Sequence, residues 1–212
     1  MRLRKWMVIA LVALAAVAVL GAAGFVYQKD RRAQAECALV ANLGNDIRQP
    51  IGDGEPLTVV GDSYSQGFGL EDPRQSWVAS LGHKVAVKAS SGAGFTKGGL
   101  CNGQSLVQLA HGESGTVIIQ GGLNDVDADG LAPKVKEAID KVEGDVVLVG
   151  PPLAPNLDAA KIKAVDATMA KAAADAGAKY VSAVGWNLSY SDGLHLTPAS
   201  HREFGRRVGA QL

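Results

Sequence analysis

Four short clusters in the 212-residue sequence carry side chains suited to acyl chemistry. They are Gly61-Asp62-Ser63-Tyr64-Ser65-Gln66-Gly67, Ser90-Ser91-Gly92-Ala93-Gly94, Gly121-Gly122-Leu123-Asn124-Asp125 and Asp192-Gly193-Leu194-His195. A serine hydroxyl is a poor nucleophile until a base removes its proton. The base must titrate near neutrality, which selects histidine. An imidazole acts as a base only when a partner fixes its tautomer, and a carboxylate does this. Asp192 lies three residues before His195, so one tight turn presents both side chains. Ser63, His195 and Asp192 are therefore the expected catalytic residues.

These residues need elements that hold them together. Leu57–Val60, Lys84–Val87, Thr116–Gln120, Asp145–Val149 and Tyr180–Val184 read as short strands, most of them apolar on both faces. Lys134–Val142 has helical spacing, and Asp158–Ala176 is an Ala/Lys-rich helix closed by Gly177. Thr197 and Pro198 start a last helix as N-cap and first helical residue. Ser76–Leu81 reads as a helical turn or two. Doubly apolar strands alternating with helices predict an α/β fold of three layers around a mostly parallel sheet. In such a sheet ligands sit beyond the carboxyl ends of the strands. The four clusters follow the first, second, third and fifth strands.

In that order the clusters resemble the four sequence blocks of the SGNH, or GDSL-type, serine hydrolases. The resemblance covers roughly residues 57–212. It implies a flavodoxin-like fold and ester hydrolysis through an acyl-enzyme, with no metal or organic cofactor. It also implies an oxyanion hole made by the backbone N–H groups of Ser63 and Gly92 and the side-chain amide of Asn124. Asp62 is implied to be structural, bonding backbone around the nucleophile turn. Where the family's second block often carries Asn before its glycine, this chain has Lys88-Ala89-Ser90-Ser91, so Gly92 and Gly94 both stand as oxyanion donors. Two other outcomes share the same residues: O-acyl transfer to envelope glycans, and a non-catalytic, membrane-tethered binding domain.

Other motifs are weaker. His83, His111 and His201 have no acid three residues earlier, and His201 reads as lying on a solvated helix face. Asp125-Val-Asp127-Ala-Asp129-Gly130 begins like a calcium loop, but its twelfth position is Lys136 rather than the required glutamate. Asp127 and Asp129 read as solvated loop and cap residues. The glycines from Gly92 to Gly99 fit neither nucleotide-binding spacing. Aromatic residues make up 5% of the chain, and those near the clusters are Tyr64, Phe68 and Phe95. With no inserted helical subdomain, little apolar surface is left for a long acyl tail. Short acyl esters, of small molecules, glycans or lipids, are the expected substrates.

Charge and hydropathy set the compartment. Trp6 to Tyr27 is an unbroken apolar run preceded by Arg2, Arg4 and Lys5. It is long enough for a bilayer core of ~30 Å, and the positive cluster predicts that the N-terminus stays inside. Residues 1–5 then form a cytoplasmic stub, 6–27 an anchor, 28–56 a tether and 57–212 the hydrolase domain. Cleavage and secretion is the alternative. It is disfavoured because a secretory apolar region usually spans ~7–15 residues, and because Ala33-Gln34-Ala35 lies beyond the charged stretch Lys29–Arg32. Of 21 basic and 21 acidic residues, six bases and one acid fall within residues 1–32, so the remainder carries a net charge of about −5. A mildly acidic domain gives no nucleic-acid signal. The two cysteines, Cys37 and Cys101, are expected to form one disulfide in an oxidising compartment.

Overall fold

A computed structural model describes residues 25–212. The expected anchor lies almost wholly outside the described residues, among which no helix is long and apolar enough to cross a membrane. Residues 25–46 form helix α1. The chain divides into two compact units, residues 1–39 and 40–212. In the first, Phe25, Val26, Tyr27 and Leu39 are exposed.

The second unit holds the last turns of α1 and five strands: β1 (Pro56–Gly61), β2 (Lys84–Ala89), β3 (Ser114–Gln120), β4 (Glu143–Val149) and β5 (Lys179–Val181). They form one sheet in the order β2-β1-β3-β4-β5, and every pair is parallel. This is the flavodoxin-like order, in which a switch of direction beside β1 opens a crevice at the strand ends. The helices are α2 (Ser63–Gln66), α3 (Leu106–Ala110), α4 (Leu131–Asp140), α5 (Ala159–Asp175) and α6 (Pro198–Gly209).

The strands are apolar on both faces because both faces are covered. Val59, Ile118 and Val147 pack with Trp77, Phe204 and Val208 of one cluster. Their neighbours Val60, Ile119 and Leu148 pack with Leu106, Val135 and Met169 of the other. The α5 helix starts where expected, with the Asp158 carboxylate accepting from the N–H groups of Ala160 and Lys161. It ends before Gly177, which takes a φ of 71°. Thr197 caps α6 by accepting from Ser200 N–H, with Pro198 in its first turn. Residues 28–46, in the segment expected as a tether, are helical, and Leu43, Ile47 and Ile51 are buried.

His201 corrects the sequence reading. It is 0% exposed, and its Nδ1 accepts from Trp77 N–H at 3.2 Å. Burial holds its pKa down at about 4, so it sits in the core as the neutral ring. The spacing His201, Phe204, Val208 marks one helical stripe, and that stripe faces the sheet.

Candidate active site

At the end of β1 the chain turns directly into α2. Asp62 is the N-cap, and its Oδ1 accepts from Tyr64 N–H at 3.0 Å. Only glycine fits at position 61, where a Cβ would lie 2.0 Å from Ser65 Oγ. That close approach folds α2 tightly over the strand end and sets Ser63 at its first position. The first N–H groups of a helix have no partner within it. Burial pushes the Asp62 carboxyl up to about 6, against the Tyr64 N–H, the Gln120 side chain and the His195 ring, which favour the anion.

Ser63 Oγ lies 3.2 Å from His195 Nε2, and His195 Nδ1 lies 2.7 Å from Asp192 Oδ2. Asp192 Oδ1 accepts from the backbone N–H groups of Leu194 at 2.9 Å and His195 at 2.6 Å. Partial burial acts to raise the Asp192 pKa. The hydrogen bonds from the His195 ring and from these two N–H groups outweigh it and bring the carboxyl to about 2. An ionised carboxylate only accepts, so the His195 proton resides on Nδ1 and Nε2 presents its lone pair to Ser63. The structure thus brings together all three residues expected from the sequence.

The turn is held from several sides. Gly193 has a φ of 80°. Asn156 donates its side-chain N–H to Asp192 O at 2.7 Å and its backbone N–H to Gly193 O at 2.9 Å. Tyr64 donates its hydroxyl to Leu194 O, and Phe68 packs against the His195 ring at 4.8 Å between centroids.

The expected oxyanion donors differ in their commitments. Among the described residues, neither Ser63 N–H nor Gly92 N–H donates to another group. Gly94 N–H donates to Lys97 O at 3.1 Å, so of the two glycines Gly92 retains the available donor. Gly92 takes a φ of 77°, a left-handed conformation that favours glycine. Asn124 uses one amide N–H on Ala93 O at 3.0 Å and keeps the other.

The sequence reading missed several groups. Asp125 is fully buried and accepts from Phe95 N–H, Thr96 N–H and Thr96 Oγ1, which staples the second cluster to the third. Asp127 forms an ion pair with Lys161 at 2.6 Å, and the cap of α4 is Gly130 rather than Asp129. Ser65 Oγ donates to Gln120 Oε1 at 2.7 Å and accepts from Trp77 Nε1–H at 3.1 Å. Among the described residues, no group of three or more His, Cys, Asp or Glu side chains is arranged to hold a metal ion. Cys37 and Cys101 are both disulfide-bonded, as expected.

An α/β sheet with a serine, a histidine and a carboxylate in line at its strand ends is the frame of a serine hydrolase. The model of the GDSL-like lipase/acylhydrolase family matches residues 59–203, and the chain belongs to that family as a serine esterase. Several solved structures share the fold. Est24, a carbohydrate acetylesterase from Sinorhizobium meliloti, is 18% identical with a TM-score of 0.60, covering 74% of this chain and 98% of its own. The native aryl esterase of M. smegmatis is 20% identical with a TM-score of 0.62, at the same coverage of both chains. A member of the lipolytic G-D-S-L family from Veillonella parvula is 13% identical with a TM-score of 0.57, covering 75% and 98%. No curated protein matches the chain significantly.

Proposed function

We propose that this chain hydrolyses short-chain O-acyl esters outside the cytoplasm, through an acyl-enzyme on Ser63. The observation that carries the reading is the hydrogen-bonded line from Ser63 Oγ through His195 to Asp192. His195 Nε2 takes the Ser63 proton as Oγ bonds to the ester carbonyl carbon. The N–H groups of Ser63 and Gly92 and the Asn124 amide stabilise the resulting oxyanion. As the carbonyl re-forms, the bond to the alcohol oxygen breaks and His195 returns the proton to that oxygen. Water then attacks the acyl-serine by the same route, releasing the carboxylic acid and restoring Ser63. Asp192 stays ionised throughout and steadies the imidazolium.

Small acyl groups suit a site whose aromatic rings are committed, Phe68 to the His195 ring and Phe95 to the core, and the carbohydrate acetyl esters named for Est24 fall within this class. The apolar run Trp6–Tyr27 behind Arg2, Arg4 and Lys5 supports a single-pass anchor with the domain outside. The disulfide supports an oxidising compartment.

Reaction with a serine-directed fluorophosphonate tests the chemistry. The wild type labels stoichiometrically and Ser63→Ala not at all, with the same circular dichroism. Undiminished labelling of Ser63→Ala removes Ser63 as the nucleophile. For location, a C-terminal tag is cut by protease added to cells with intact membranes. Protection of the tag until lysis places the domain inside.

A further inference from the structure

Ser63 and Gly92 lie on separate elements, α2 and the loop after β2. Their N–H groups serve one oxyanion only if the two elements keep a fixed separation. One side chain spans them. Gln66 closes α2 one turn after Ser63 and is 3% exposed. Its Oε1 accepts from both donors of Ser91, the backbone N–H at 2.7 Å and Oγ–H at 2.6 Å. Ser91, itself 1% exposed, immediately precedes Gly92. On its other side Gln66 donates Nε2–H to the backbone carbonyl of Val40 at 3.1 Å. That contact fixes the sense of the amide. Flipped, it would set oxygen against the Val40 oxygen and two amide hydrogens against the two Ser91 donors.

We propose that Gln66 is a positioning residue for the oxyanion site, holding Gly92 N–H at a set distance from Ser63 N–H, and that the end of α1 sets the Gln66 amide. The proposal rests on the reading of Ser63 and Gly92 as oxyanion donors. Val40 and its helical neighbours precede the family-matched residues 59–203, so a segment outside that match completes the site. Gly44 completes the contact. A Cβ there would stand 3.5 Å from Gln66 Nε2, an ordinary van der Waals distance, so a leucine side chain at this position would crowd the amide. Backbone donors gain their effect from fixed placement, and a 1 Å error in a catalytic group costs as much as about 100-fold in rate.

The experiment compares full-length wild type with Gln66→Leu, Gln66→Glu, Gly44→Ala and Gly44→Leu. Turnover of p-nitrophenyl acetate is normalised to active sites counted by exhaustive phosphonate titration. A purely structural loss lowers the number of titrated sites and leaves turnover per site and KM unchanged. The expected result is a fall in kcat per titrated site of about 10- to 100-fold for Gln66→Leu, with KM within about twofold. Gln66→Glu keeps the acceptors for Ser91 but faces the Val40 carbonyl with an oxygen, so its kcat per site falls less than that of Gln66→Leu. Gly44→Ala turns over at the wild-type rate, and Gly44→Leu shows the kcat loss with every Gln66 atom retained. Should Gln66→Leu yield no titratable protein, Gln66→Glu and Gly44→Leu decide. Turnover per site within twofold of wild type in every variant that titrates overturns the proposal. If Ser63→Ala in the same series still turns over ester, the reading of the site itself fails. An inactive Ser63→Ala beside unimpaired Gln66 and Gly44 variants refutes the positioning role alone.

Discussion

The Tyr64 hydroxyl donates to the carbonyl oxygen of Leu194 at 2.5 Å, joining residues 130 positions apart in the chain. Tyr64 follows Ser63 and Leu194 precedes His195, so this one hydrogen bond ties the two segments of the proposed proton-transfer line. Tyr64 is also wedged between rings, 6.3 Å from His195 and 6.1 Å from His201 between centroids. Tyr64→Phe keeps the packing and removes the tie. It leaves a part-buried carbonyl without its donor, so stability falls by about 1 kcal/mol. With His195 less firmly placed, kcat falls on the order of tenfold while KM holds. Urea denaturation and steady-state kinetics check both, and an unchanged kcat shows that the turn holds itself.

Asp192 supplies the charge that fixes the His195 tautomer, and its carboxyl, at about 2, stays ionised across the working pH range. Asp192→Asn lets the amide donate instead, which favours the tautomer with Nε2 protonated and facing Ser63. An effect of up to about 10⁴ in kcat follows where such a carboxylate is buried. The Asp192 side chain is 53% exposed, so water partly substitutes for it and the expected loss is about 10²- to 10³-fold. A loss below tenfold, measured as turnover per active site, removes Asp192 from the proton-transfer line.

Asn124→Ala withdraws the proposed side-chain donor to the oxyanion and lowers kcat by about 10²- to 10³-fold. The accompanying loss of the bond to Ala93 O lowers stability by about 1 kcal/mol. Asn124→Asp keeps the size but brings a negative charge to the oxyanion, so its turnover is no better than that of the alanine variant. Full activity in either variant, in initial-rate assays, assigns the oxyanion to other donors.

Two buried groups give opposite pH dependences of stability. Asp62 has a folded pKa of about 6 against an ordinary 3.8, so the unfolded chain releases its proton first as pH rises. Stability is then lost between pH 3.8 and 6, by about 3 kcal/mol. His201 has a folded pKa of about 4 against 6.5, so the unfolded chain takes up a proton first as pH falls. Stability is lost from pH 6.5 down to 4, by a similar amount. Asp192 titrates below this window. Between pH 4 and 6 these two contributions largely cancel. His201→Gln exposes a decline with rising pH, and Asp62→Asn exposes a rise. Urea midpoints at four pH values distinguish these profiles, and parallel curves for the three proteins exclude both contributions.

Each methylene of an acyl tail gains ~0.8 kcal/mol only where apolar surface receives it. Phe68 is committed to the His195 ring and Phe95 is buried in the core, so neither is free for a tail. For the chain without residues 1–27, kcat/KM falls from acetyl to butyryl to octanoyl esters. Faster cleavage of palmitoyl than of acetyl esters contradicts the small-acyl reading.

The sheet was legible because burial on both faces leaves no polar alternation, and the short β-branched run Val117, Ile118 and Ile119 fits a covered strand. The residues of the proposed proton-transfer line were legible because such chemistry concentrates at strand ends and because Asp192 and His195 share one local turn. The supporting groups were not. Gln66 meets Ser91 at a separation of 25 residues and Asp125 meets Thr96 at 29, and no local pattern predicts a partner at that range. His201 was misread for a different reason. A histidine on an amphipathic helix is assigned to water by its polarity, while its stripe with Phe204 and Val208 assigns it to the core. The helical residues 28–46 went unrecognised because charged and small residues dominate the segment, although Val40, Leu43 and Ile47, at and just past its end, fall on one stripe.

The Asp192–His195 turn makes two local bonds, from its own N–H groups to the Asp192 carboxylate, whereas Ser63 stands 132 residues before His195. A ribosome making this chain finishes the serine long before it reaches the histidine. Until residues 192–195 emerge and α6 docks, Ser63 lacks the imidazole that the proposed mechanism needs, and the nascent chain is expected to be silent toward esters. On the proposed reading, a chain that stops before residue 192 carries the serine without its base and is expected to be inert toward esters.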